Sequence, residues 1–211
     1  MRGTGGIVRV AITVLNAVRF MVGAWCTVPL LGYAAWQHGL GTALKFERLF
    51  KVARNVPCGR DFISGLCGFI SPYTGSISPF VLDMSPDGVS VAMIDRPWLR
   101  NPFNSLHAVA LTNLGELTSA LAMMMLQQSR RGMRIIPTAI NAEFKIKARG
   151  TITASVGELD VPTELGSHTY DVVVPLLNED GAEVAVITVS WRVTNSPVVA
   201  PSTVASGKKT E

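Results

Sequence analysis

A polar loop, Asn101 to Leu106, runs into a long apolar stretch at about His107 to Gln128, and the pattern predicts one extended helix there. Ser129-Arg-Arg-Gly132 closes it with cations and a glycine, as helix ends favour. Among the Leu, Ala and Met of this helix stands one carboxylate, Glu116, in its third turn. A glutamate buried without a partner costs several kcal/mol, so its presence points to a site that uses a carboxylate in an apolar pocket.

Around this helix the pattern changes to strands. Phe80–Met84 and Val89–Ile94 flank Ser85-Pro-Asp-Gly88 and predict a strand pair joined by a turn. Arg134–Ala148 alternates after Asn141, with Ala142, Phe144, Ile146 and Ala148 on one face and Glu143, Lys145, Lys147 and Arg149 on the other. Thr151–Val156 is a further strand, and Tyr170–Leu177 and Ala182–Val193 are joined by the hairpin signal Asn178-Glu-Asp-Gly181. A strand pair, one long helix and four antiparallel strands make an α+β plan. Such a sheet buries one helix and leaves an edge open, so a homodimer or higher oligomer is expected.

The N-terminal region is different in kind. Arg9, Thr13, Asn16 and Arg19 recur at helical spacing among apolar residues, and Phe20 to Leu44 has no charged side chain. A signal anchor or other membrane-associated helix, a mitochondrial presequence, and a helix packed on the domain's own surface all fit. Lys45, Arg48, Lys51 and Arg54 then mark a basic helix, followed by a loop at Pro57 and a short segment at Phe62–Ile70. The expected organisation is an apolar, basic segment 1–44, a linker helix and loop 45–75, a folded domain 76–194, and a disordered tail 195–211 rich in Pro, Ser and Lys.

Charge sharpens this division. Residues 1–60 hold eight basic side chains against the single acid Glu47, a balance of +7, whereas the whole chain stands at +4. The folded part lacks the clustered cations and polar readers of a nucleic-acid footprint. Three cysteines (Cys26, Cys58, Cys67) and three histidines have no metal-ligand spacing, so free thiols in an intracellular setting, membrane-associated or mitochondrial, are expected, with no metal.

The order of elements, together with Pro72-Tyr-Thr-Gly-Ser-Ile77, Arg100-Asn101, His107-Ala108, Asn113-Leu114, Glu116-Leu117, Ile136-Pro137 and Lys147-Ala-Arg-Gly150, resembles the hot-dog fold. Within that fold the chain is similar to the branch related to phenylacetate-pathway-type acyl-CoA thioesterases. In better-known relatives a His-Gly-Gly opens the helix and a carboxylate follows nine residues later. Here His107 and Glu116 keep that spacing, but Ala108-Val109 replace the glycines.

The resemblance implies thioester hydrolysis within lipid metabolism. Glu116 would act as general base or nucleophile, with the backbone N–H groups of His107 and Ala108 at the helix start as oxyanion site. Asn113 would orient the carboxylate, and His107 and Asn101, also counted as catalytic, would shape the loop and touch the carbonyl or water, while Ser119, Lys145, Lys147 and Arg149 would bind substrate, an acyl-CoA or other acyl thioester. No cofactor is expected beyond the coenzyme A of the substrate. Two other functions compete: a non-catalytic acyl-CoA or lipid-binding protein, and a hydratase or dehydratase. The last resembles a pattern with an Asp five residues before the histidine, where this chain has Pro102.

Overall fold

A computed structural model describes residues 4–39 and 45–197. Helix α1 (Thr4–His38) is followed by α2 (Phe46–Ala53), α3 (Gly59–Ile70) and a single turn α4 (Pro72–Gly75). Strands β1 (Phe80–Ser85) and β2 (Gly88–Ile94) precede the long helix α5 (Ala108–Ser129). Strands β3 (Met133–Phe144), β4 (Thr151–Gly157), β5 (Gly166–Leu177) and β6 (Glu183–Asn195) complete one antiparallel sheet ordered β1-β2-β4-β5-β6-β3.

Helix α5 lies across one face of this sheet. Its Leu111, Leu114, Leu121 and Met123 are buried with Val174, Leu176, Ile187 and Val189 of β5 and β6. An ideal Cβ on Gly115 would sit 2.5 Å from Ile187 Cβ, so the absence of a side chain is what lets helix and sheet approach so closely. The turn after α5 ends on Gly132 at φ +82°, a conformation that glycine adopts without strain.

The strand pair, the long helix and the final hairpin form as the hydrophobic pattern predicts, with three differences in detail. Strand β3 stops at Phe144 rather than continuing to Ala148. The Lys145 and Ile146 N–H groups both donate to the Val184 carbonyl, which breaks the ladder and leaves Ile146 exposed. An irregularity between Pro137 and Ala139 also shifts the face, so that Ile140, Ala142 and Phe144 pair opposite the buried Val189, Ile187 and Ala185. Strand β5 begins at Gly166, four residues before the apolar alternation starts, because backbone pairing to β6 carries it through Ser167, His168 and Thr169.

The third difference is N-terminal. The amphipathic start and the following apolar run are one 35-residue helix that contains Pro29, and Phe62–Ile70 belongs to the full helix α3. These two helices pack antiparallel: Arg19 pairs with Asp61 at 2.9 Å, Phe20 meets Phe62 at 5.3 Å between ring centres, and Gly23 abuts the Cys58 carbonyl. The end of the apolar run at 40–44, and residues 198–211 of the expected disordered tail, lie outside the described residues; the first two residues of that tail are ordered instead, Asn195 closing β6 and the Ser196 N–H donating to the Gly132 carbonyl at 3.1 Å.

All three cysteines are free thiols. Burial against the α3 core pushes the Cys67 thiol up to about 11. At pH 8 only about one part in a thousand of it is then thiolate, so Cys67 is expected to resist iodoacetamide until the chain unfolds; peptide mass mapping with and without denaturant reads this directly.

Candidate active site

The loop before α5 is held by its own polar atoms. The Asn101 side-chain oxygen accepts from Phe103 N–H at 3.0 Å and Ser105 N–H at 3.2 Å, while Asn101 N–H donates to the Ser105 carbonyl at 2.8 Å. Arg100 forks onto Asp95 with contacts of 2.7 and 3.0 Å, and Arg149 Nε donates to the Asn104 carbonyl at 2.9 Å. Asn101 and Arg149 therefore shape the loop.

His107 is the N-cap of α5: its Nδ1 accepts the Val109 N–H at 3.2 Å. Its own N–H donates to the Leu99 carbonyl at 2.8 Å. The expected pair of oxyanion donors is thus corrected to one. The His107 donor is occupied because the short turn Pro97–Leu99 brings a carbonyl against it. Among the described residues no acceptor is bonded to the Ala108 N–H.

Ala108 opens onto a recess of about 410 Å³. Leu106, Leu111, Phe144 and Ile146 supply its apolar lining, and Asn101, Lys145 and Lys147 stand among the residues around it. Lys145 is also ion-paired with Glu183, which raises its pKa chiefly through that hydrogen bond. Four of the predicted site residues, Asn101, Ala108, Lys145 and Lys147, are therefore brought together; Arg149 is not among the lining residues.

Glu116 is half-buried, and desolvation alone raises its pKa above the ordinary carboxylate value. Among the described residues no hydrogen bond or ion pair reaches its carboxylate. One turn earlier, the buried Asn113 donates to the Tyr73 carbonyl at 3.3 Å and ties α5 to α4. Ser119 is corrected from a substrate contact: it is wholly buried, and its hydroxyl donates to the Glu116 backbone carbonyl at 3.0 Å. That bond follows from three-residue spacing on a helix, where a serine reaches back to the preceding turn. Glu116 does not line the recess at Ala108. Eight helical residues separate the two, about 12 Å along the axis.

Two features escaped the sequence. Arg96, in the β2–α5 connection, is only 9% exposed, lies 5.7 Å from the Trp98 ring centre, and has an Nη1 without a hydrogen-bond partner among the described residues. Burial lowers its pKa. Arginine is almost never buried unless paired, and Asp95-Arg-Pro-Trp98 carries no periodic signal that marks it. A second recess of about 210 Å³ lies at the C-terminal end of α5, between Met125, Leu126, Arg130, Leu159 and Lys45. Arg130 there donates to the Val161 carbonyl at 2.8 Å.

One long helix wrapped by a six-stranded antiparallel sheet, with an N-terminal helical extension, defines a hot-dog fold. Residues 59–193 match DUF4442, a domain of unknown function, and the chain belongs to that family. A Pseudomonas aeruginosa protein described as a probable thioesterase superposes with a TM-score of 0.57 at 20% identity, covering 63% of this chain and 93% of its own. A Haemophilus influenzae thioesterase gives 0.52 at 20% identity, covering 64% and 90%. A variant of a Staphylococcus aureus thioesterase gives 0.51 at 17% identity, covering 59% and 99%. No curated protein matches the chain.

Proposed function

We propose that the chain hydrolyses an acyl thioester, with Glu116 as general base toward water or as the attacking carboxylate. The observation that carries this reading is a half-buried carboxylate, held above its ordinary pKa by desolvation, with no cation or donor bound to it among the described residues. An architectural glutamate in a helix surrounded by Leu and Met would be paired; this one is left free to take a proton. The Ala108 N–H, at the positive end of α5, is the donor for the developing oxyanion. Lys145 and Lys147, beside the same recess, suit the phosphates of coenzyme A.

The catalytic unit is a homodimer. Within one protomer the base and the oxyanion donor are about 12 Å apart along one helix, too far to share one carbonyl. A second copy laid against β3 would bring the Glu116 of one chain toward the recess of the other. Strand β3 is an edge strand, and on its core-side face Ile140 and Phe144 remain 47% and 48% exposed. Ile140→Lys is therefore expected to shift the protein from dimer to monomer in light-scattering chromatography and to remove activity with it. A dimer that persists would separate this edge from assembly.

Free-thiol release from acyl-CoA substrates of graded chain length is the direct test, with Glu116→Gln as the control. A second reading, an acyl-CoA-binding protein without turnover, is favoured by one observation. Ala108 and Val109 put side chains at the start of α5, where a glycine would let a substrate carbonyl approach the backbone more closely, and the Val109 N–H is taken by His107. Tight acyl-CoA binding with no thiol release would select it. Intracellular work at a membrane or in mitochondria belongs to the same proposal, carried by α1.

A further inference from the structure

Helix α1 leaves a wide apolar face uncovered. Two helices of the described chain are apolar enough to cross a membrane by composition, and they differ in burial: the window on α5 is 67% buried, the one on α1 only 17%. The α1 side that packs Phe20, Ala24 and Leu31 on the core also carries polar residues. Thr27 is fully buried, and Arg19, the only charge from Val10 to Gln37, turns to the α3 carboxylate of Asp61. The opposite face carries Val14, Val18, Met21, Trp25, Tyr33 and Trp36, all more than half exposed, with both tryptophans above 80%. A helix packed on a protein in water shows the reverse pattern. Phe69 and Ile70, at the end of α3 that points toward the first half of α1, are exposed by 80% and 67% and widen the apolar surface.

We infer that this face of α1 docks the protein in the plane of an anionic lipid bilayer, with α3 and the domain on the water side. Charge argues for the lipid: the first 60 residues hold eight cations and one acid, and Lys45, Lys51 and Arg54 are exposed on α2, which packs beside α1. Position argues for lying rather than spanning. In a span from Val10 to Gln37, Trp25 and Arg19 would sit near the bilayer centre. In the plane, Trp25, Tyr33 and Trp36 share one interfacial depth, and the Arg19–Asp61 pair stays against the protein. The docking does not depend on the hydrolase reading.

The test uses the full chain and sealed vesicles, with no measurement of turnover. The protein is expected to float with phosphatidylcholine vesicles containing phosphatidylserine and less with phosphatidylcholine alone. The double variant Trp25→Glu, Trp36→Glu should lower partitioning at least about tenfold at unchanged melting temperature, since neither side chain is in the core. Fluorescence lost on Trp25→Phe should be quenched more by shallow-brominated than by deep-brominated lipid. Failure to float, or flotation indifferent to the double variant, overturns the inference. So does stronger deep quenching, which means a span, or a vesicle-independent oligomer that the double variant dissolves, which means a second copy covers the face.

Discussion

Glu116→Gln is expected to reduce thiol release by about 10²–10⁴-fold and, at pH 7.5, to raise the melting temperature rather than lower it. Burial keeps the Glu116 pKa above the ordinary carboxylate range, so the folded chain holds this proton more tightly than the unfolded chain does. Stability contributed by this group therefore falls as pH rises from the ordinary range through the raised value, and stays low above it. Glutamine never ionises, so its advantage exists above the raised value and vanishes below about pH 4. Under the proposed hydrolysis the rate is expected to run the other way, because a base works only when ionised: kcat/KM should climb with pH through the same raised value. Rate and melting temperature of the two proteins, followed from pH 4 to 8, check both signs together. A structural carboxylate locked in an ion pair would lose stability on the same substitution, and undiminished thiol release would remove the site assignment altogether.

The second large effect is steric. Gly115→Ala places a methyl group 2.5 Å from Ile187 Cβ and Cγ1, closer than carbon atoms tolerate. Neither neighbour can move easily, because Ile187 is fully buried on β6, paired on both sides, and Gly115 is in mid-helix. Overpacking of this kind costs about 1–3 kcal/mol, or about 3–10 °C in melting temperature for a chain of this size. Calorimetry reads the loss. Ile187→Gly removes all three atoms that the new methyl meets, so the double variant should lose less than the two single variants combined. Simple addition would mean that the helix has shifted to make room.

Much of the architecture is written in local signals that survive folding unchanged. The apolar run of α5, the turn at Pro86-Asp87-Gly88 and the hairpin at Asn178–Gly181 depend on a few adjacent residues, and the structure has each of them. What the pattern misses depends on distant partners. Strand β5 reaches back to Gly166 because β6 pairs with it, and β3 ends at Phe144 because the Val184 carbonyl draws two donors. The site divides in the same way. Glu116 stands out as an acid among Leu and Met, whereas the capping role of His107 and the buried guanidinium of Arg96 follow from the fold of the β2–α5 loop, which carries no period. Ser119 has the spacing of a site residue, but hydroxyl-to-backbone bonding decides its direction.

The place of β3 at the sheet edge has a bearing on how the chain is made. Its one neighbour is β6, with Met133 opposite Asn195, so a strand synthesised directly after the helix waits for the last strand of the sheet. Until then Ile135, Ile136 and Ile140 have no ladder to join, and the nascent chain presents a long sticky ribbon. Folding on the ribosome must stall short of completion through all of β4 and β5, and a C-terminal deletion reaching into β6 strands β3 along with it.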